Sequence, residues 1–166
     1  MGADNRPEQV HTGATIEFGR PFVQLATILS AKGNAVLTIH PEASVAGLIA
    51  MLAEHSVGAL VVSPDGSIIS GIVSERDVVR SLMHGSAVLD APVASIMTPQ
   101  VHCAPPTASI DELMHLMTER RIRHVPITDD TGGLIGIVSI GDVVKSRLGE
   151  LEGERAALLD YITRGG

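Results

Sequence analysis

The stretch GIVSERDVVRS (Gly71–Ser81) returns almost unchanged as GIVSIGDVVKS (Gly136–Ser146). The offset is 65 residues, and it holds without a gap well outside these segments. Val36 falls on Val101, Pro41 on Pro106, Leu48 on Leu113, Glu54 on Glu119 and Asp65 on Asp130. Between 36–81 and 101–146 there are 15 identities in 46 positions, where average composition gives roughly three or four by chance. The chain therefore carries one unit twice. Each copy is shorter than most autonomous domains, so the two are expected to pack on each other.

Each copy reads as β-α-β-β-α. A short apolar stretch (AVLTI, or VHCA) runs into a proline. A helix opens at Ser44 or Ser109, the latter with Glu112 three residues on, the signature of a capping box. An apolar strand follows (VGALVVS, IRHVPIT), then a turn rich in Asp and Gly. A second strand ends at Ser74 or Ser139, where the last helix begins. The expected fold is mixed α/β (α+β): two repeats as a pseudo-twofold pair, with flanking helices. The expected divisions are a tail and helix over 1–31, repeat 1 over 32–84, a linker over 85–95, repeat 2 over 96–148 and a helical extension over 149–166. The first helix is expected from about Pro21 to Gly33.

Composition narrows the function. Apolar residues make up 45% of the 166, aromatics only 2%, so the core must be aliphatic. A net charge of -7 disfavours a phosphate backbone as partner, and few aromatics leave no stacking platform for single strands. No apolar run approaches about 18 residues, and no secretory signal pattern opens the chain. A single cysteine, Cys103, fits a reducing cytoplasm; it is expected to be a small buried residue on the first strand of repeat 2. The seven histidines lack zinc spacing, and neither a Gly-rich phosphate loop nor a nucleophile elbow is present. No metal, nucleic acid, membrane or catalytic role is expected.

The Ser74–Asp77 and Ser139–Asp142 junctions support two readings. A serine cap with an acid at the third position explains them as helix starts. The acid in such a box is usually Glu or Gln. Both copies use the shorter Asp, a carboxylate suited to accept hydrogen bonds from a vicinal diol.

The ordered pattern over roughly 32–148 resembles the cystathionine-β-synthase (CBS) domain, and its duplication resembles the tandem pair called a Bateman module. The residues that carry the resemblance are GIVSERD, GIVSIGD, the VGALVV strand and IMTPQVHCAPPTASIDELMHLMTERRIRHVPI. The resemblance implies a non-catalytic regulatory module with an adenine nucleotide between its repeats. AMP is the first ligand expected, with ADP, ATP or NAD(H) next. It also implies a homodimer and a regulated protein partner of unknown identity. It implies that Asp77 and Asp142 would grip the ribose hydroxyls, with Ser74 and Ser139 binding nearby ribose or phosphate.

The intervening Glu75 and Arg76, against Ile140 and Gly141, would make the two sites unequal. Small Gly58 and Ala59, after Val57, would let a base approach the backbone. Their counterparts Arg123 and His124, before Val125, would touch phosphate; alternatively Arg120, Arg121 and Arg123 are a solvated helix end. The segment before each first strand would also line a pocket: Lys32, Gly33 and Asn34 for Asp142, and Met97, Thr98 and Pro99 for Asp77. The Asp142 site, with Arg123, His124 and Lys32 in reach, is expected to be the better one. The alternative function is a dimerisation or protein-interaction module with no bound ligand.

Overall fold

The computed structural model describes residues 25–32 and 36–164. The elements run α1 (Leu25–Lys32), β1 (Thr38–Ile39), α2 (Val45–His55), β2 (Ala59–Val62), β3 (Gly71–Ser74) and α3 (Glu75–Leu82), then α4 (Ile110–Arg120), β4 (His124–Thr128), β5 (Leu134–Ser139) and α5 (Ile140–Arg164). The expected start of the first helix at Pro21 lies outside the described residues.

The helices begin where their caps dictate. Ser44 Oγ accepts from Gly47 N at 3.1 Å. Ser109 and Glu112 close a full capping box, Ser109 N donating to the Glu112 carboxylate at 2.7 Å. Both helices end on a residue in the left-handed region, Ser56 in α2 and Arg121 in α4, which are repeat counterparts. This turn sends each chain into an inner strand. All four residues of β2 are buried, as its continuous apolar run requires.

In repeat 1, β1 pairs in parallel with β2, and β2 antiparallel with β3, Leu60 facing Val73. In repeat 2, β4 pairs antiparallel with β5. The expected strand VHCA does not form; only an isolated bridge joins Ala104 to Ile127. Pro126, the counterpart of Val61, has no N–H to extend that ladder. Ala104 points inward, in the place of Ile39, and Cys103 is exposed, against the expectation of a buried thiol. The hairpin turns also differ. Asp65 accepts from the backbone N–H groups of Ser67 and Ile68 at 2.8 Å. In repeat 2 Asp129, not Asp130, organises the turn through Thr131 and Gly133, after a register irregularity at Ile127/Thr128.

Each repeat has its own aliphatic core, and each core borrows the segment that precedes the other repeat. Repeat 1 gathers Leu48, Leu60, Val62 and Val73 together with Val93 of the linker and Ile96 and Met97 just after it. Repeat 2 gathers Leu113, Val125, Ile127 and Val138 together with Leu25, Ile28 and Leu29 of α1. The linker folds as two short 3-10 turns, Ser86–Asp90 and Val93–Ser95. Thr98 then bridges antiparallel to Ile72, with N···O distances of 2.8 and 3.0 Å. No helix among the described residues is long and apolar enough to cross a membrane.

Candidate functional site

Because the linker crosses to β3, the start of α3, residues 98–102 and the α4–β4 junction converge. They enclose a cavity of about 500 Å³ between the repeats, within the size range of small-molecule sites. Gly58, Ala59, Ser74, Glu75, Arg76, Asp77, Thr98, Arg123 and His124 line it, all of them named from the sequence. Arg80, Gln100, His102, Arg120 and Arg121 line it as well. Arg80 stands one helical turn beyond Arg76 on α3, a spacing that puts both on one face. Gln100 and His102 carried no sequence signal, because their position depends on the linker crossing over.

The cavity is strongly cationic. Five of the chain's ten arginines face it, against the carboxylates of Glu75 and Asp77. In a chain of net charge -7 this is a concentrated positive patch, and converging guanidinium groups are suited to phosphate or carboxylate. Gly58 opens its floor: a Cβ there would lie 3.5 Å from His124 Cε1 and 3.7 Å from Glu75 Oε2.

Asp77 Oδ2 accepts from Ser74 N at 2.8 Å and from Ser74 Oγ at 2.6 Å. The shorter side chain therefore does reach back to the cap, and Asp in place of Glu is no evidence against a capping role. Its Oδ1 has no hydrogen-bond partner among the described residues, and Asp77 is one of the residues that line the cavity. Cap and ligand contact are thus compatible, one oxygen for each.

Asp142 repeats the cap, with Ser139 N and Oγ both at 2.7 Å from Oδ2. It differs in one respect: Lys32 Nζ donates to the same oxygen at 2.5 Å and reaches the Ile137 carbonyl at 3.4 Å. Burial pushes the Asp142 carboxyl up, but the hydrogen bonds from Lys32 and Ser139 outweigh it and hold the group below its usual range. Lys32 is the repeat counterpart of Met97, so Asp77 has no such cation from its own preceding segment.

Half-buried His124 stands between the two junctions. Burial and the Lys32 charge push its pKa down against the pull of Asp142 and Glu75, which favours the neutral imidazole. Arg123 and His124, expected beside Asp142, thus line the cavity of Asp77. Val57 packs against the first core and Val125 is fully buried in the second; neither lines the cavity. Ile140 and Gly141 lie along an outer groove of α5. Gly33 and Asn34 lie outside the described residues.

Two repeats, β-α-β-β-α in the first and α-β-β-α in the second, with crossed leading segments and a cationic cavity between them, define a tandem-repeat module. The chain belongs to the CBS-domain family: the family model for the CBS domain matches residues 33–84 and 93–149. It is 32% identical to the mitochondrial CBS domain-containing protein CBSX3 of Arabidopsis thaliana, over 97% of this chain and 82% of that one. A CBS-domain-containing protein from Agrobacterium tumefaciens, solved by crystallography, superposes with a TM-score of 0.71 at 38% identity, over 75% of this chain and 92% of that one. A CBS domain protein from Pyrobaculum aerophilum, solved as a complex with AMP, has the same fold at a TM-score of 0.64 and 24% identity, over 72% of this chain and 89% of that one.

Proposed function

We propose that this chain is a non-catalytic regulatory module that binds an adenine nucleotide in the cavity between its repeats. One observation carries the reading: five arginines and a half-free aspartate meet in a single cavity of an otherwise acidic chain. In this arrangement Asp77 Oδ1 takes the ribose hydroxyls, the ring lies over Gly58 and Ala59, and Arg76, Arg121 and Arg123 take phosphate. The AMP complex of the P. aerophilum protein supports the ligand class. AMP is the first nucleotide to titrate, with ADP, ATP and NAD(H) after it. The Asp77 cavity is the primary site, reversing the order expected from sequence; Asp142 is a second site whose carboxylate Lys32 already holds. The module acts by population shift, since a ligand touching both repeats favours one arrangement of them and changes what a partner protein meets. A reducing cytoplasm suits its one exposed thiol.

Calorimetric titration of nucleotide-free protein with each of these ligands, beside Asp77→Ala, tests the reading. Saturable binding lost in Asp77→Ala supports it. No binding of any adenine nucleotide would leave Ser74–Asp77 as a helix cap alone.

A second reading, a dimerisation module, rests on a different surface. Val79 and Met83 of α3 are exposed, and so are their counterparts Val144 and Leu148 of α5. Such a repeated apolar pair suits a homodimer. The two readings are compatible.

A further inference from the structure

Helix α5 does not stop with the repeat. It continues unbroken to Arg164, and residues 151–164 are all exposed. This segment holds Leu151, Leu158 and Ile162 at 48%, 62% and 69% exposure. A helix of this length is marginal alone in water, and exposed Gly149 and Gly153 weaken it further. Five apolar residues and one arginine follow one spacing, with exposed Leu159 and Tyr161 beside it. Val144, Leu148, Leu151, Arg155, Leu158 and Ile162 are spaced 4, 3, 4, 3, 4, the a/d seam of a coiled coil. A straight helix drifts about 20° per heptad from this spacing, so the seam stays aligned only by supercoiling with another helix.

The charges choose the occupant. With Leu148, Arg155 and Ile162 at a, positions g are Arg147, Glu154 and Tyr161, and positions e are Lys145, Glu152 and Leu159. In a parallel, in-register pair of α5 helices, Arg147, which bonds Glu150 of its own helix at 2.7 Å, comes within reach of Glu152 of the partner subunit, and Arg155 lies beside Glu154 of the partner subunit. An antiparallel pair with the same layers sets Glu152 and Glu154 each against its own copy, like charge on like. The seam is thus complementary to itself in one orientation only. We infer that α5 forms a parallel two-stranded coiled coil with α5 of a second copy of this chain, with Arg155 as the polar layer that fixes register.

The test uses the full chain without nucleotide, so its outcome is independent of the ligand reading. Sedimentation equilibrium of the unmodified protein is expected to give a dimer. Leu151→Glu with Leu158→Glu, both at exposed positions, should weaken the dimer by about a hundredfold or more while circular dichroism of the repeats is unchanged. Leu158→Cys in a Cys103→Ser background should cross-link to a covalent dimer when oxidised with copper–phenanthroline, because a parallel pair sets each position against itself. A monomer at tens of micromolar overturns the inference, as does a dimer indifferent to the double substitution. Failure of Leu158→Cys to cross-link in a dimer that the double substitution dissociates overturns the parallel arrangement.

Discussion

Arg121 holds its backbone at φ 53°, a region that costs a side chain about 1 kcal/mol relative to glycine. Its repeat counterpart Ser56 does the same at φ 51°, but only Arg121 lines the cavity. Arg121→Gly is therefore expected to raise stability by about 1 kcal/mol and to weaken nucleotide binding; Ser56→Gly should give the first effect without the second. Denaturant melts beside calorimetry separate the two. His124 supplies the pH dependence. Its folded pKa is pushed below the ordinary value by burial and Lys32, so the unfolded chain binds the proton first as pH falls. The stability this residue contributes is complete above about pH 6.5 and is lost on descending to its depressed folded value. A bound phosphate would pull that pKa back up, so binding near pH 6 should take up protons. Titrations in buffers of different ionisation enthalpy read this uptake, and His124→Gln should remove it.

Among the elements, two glycines set how closely the crossed segments approach the sheets. A Cβ on Gly136 would sit 2.5 Å from Leu29 Cδ2, and one on Gly71 would sit 2.6 Å from Met97 Sδ and 3.0 Å from the Thr98 carbonyl. At Gly136 a side-chain tip can move aside; at Gly71 backbone must shift. Gly71→Ala is expected to cost about 1–3 kcal/mol, more than Gly136→Ala, and to loosen the wall of the cavity, which chemical denaturation with and without nucleotide would detect. These approaches also mark what could be read from the sequence. The 65-residue offset located α2 to α5, β2 to β5 and the junction residues Ser74, Asp77, Ser139 and Asp142, because caps and apolar periods are local. The loss of a first strand in repeat 2 turned on one missing N–H at Pro126, across the sheet. Arg80 was legible as a helix-face partner of Arg76. The family resemblance already pairs Lys32 with Asp142 and Thr98 with Asp77; placing Arg123 and His124 with Asp77 needed the crossing of α1 and the linker, a long-range choice that no local pattern encodes.

That crossing makes the two repeats chemically unequal at the scale of the whole molecule. Each repeat closes its own core with the other's leading segment, so α1 delivers Lys32 to Asp142 while the linker delivers Met97 and Thr98 beside β3. One junction is filled by an internal cation and the other faces a cavity. At the filled junction a ribose must compete with an ammonium group already hydrogen-bonded at Oδ2. The chain should then bind one nucleotide per protomer tightly, and a second weakly if at all. Lys32→Met gives repeat 2 the residue that repeat 1 has at this place. The ion pair is partly exposed, at 40% for Lys32 and 21% for Asp142, so its loss should cost at most about 1 kcal/mol. What should change is stoichiometry, from near one to near two by calorimetry, the added event being abolished by Asp142→Ala. Equal occupancy of both sites in the unmodified chain, or a stoichiometry that Lys32→Met leaves unmoved, would mean that Lys32 serves the ligand rather than excluding it. Thermal melting gives a second measure of the same asymmetry. At a hundredfold excess over Kd a single site adds about 2.7 kcal/mol, which for a chain of this size raises Tm by roughly 5–10 °C. A ligand in this cavity would touch both repeats, so that rise should appear in one cooperative transition that includes both cores, and Asp77→Ala should abolish the rise from a baseline lowered by loss of its bonds to Ser74.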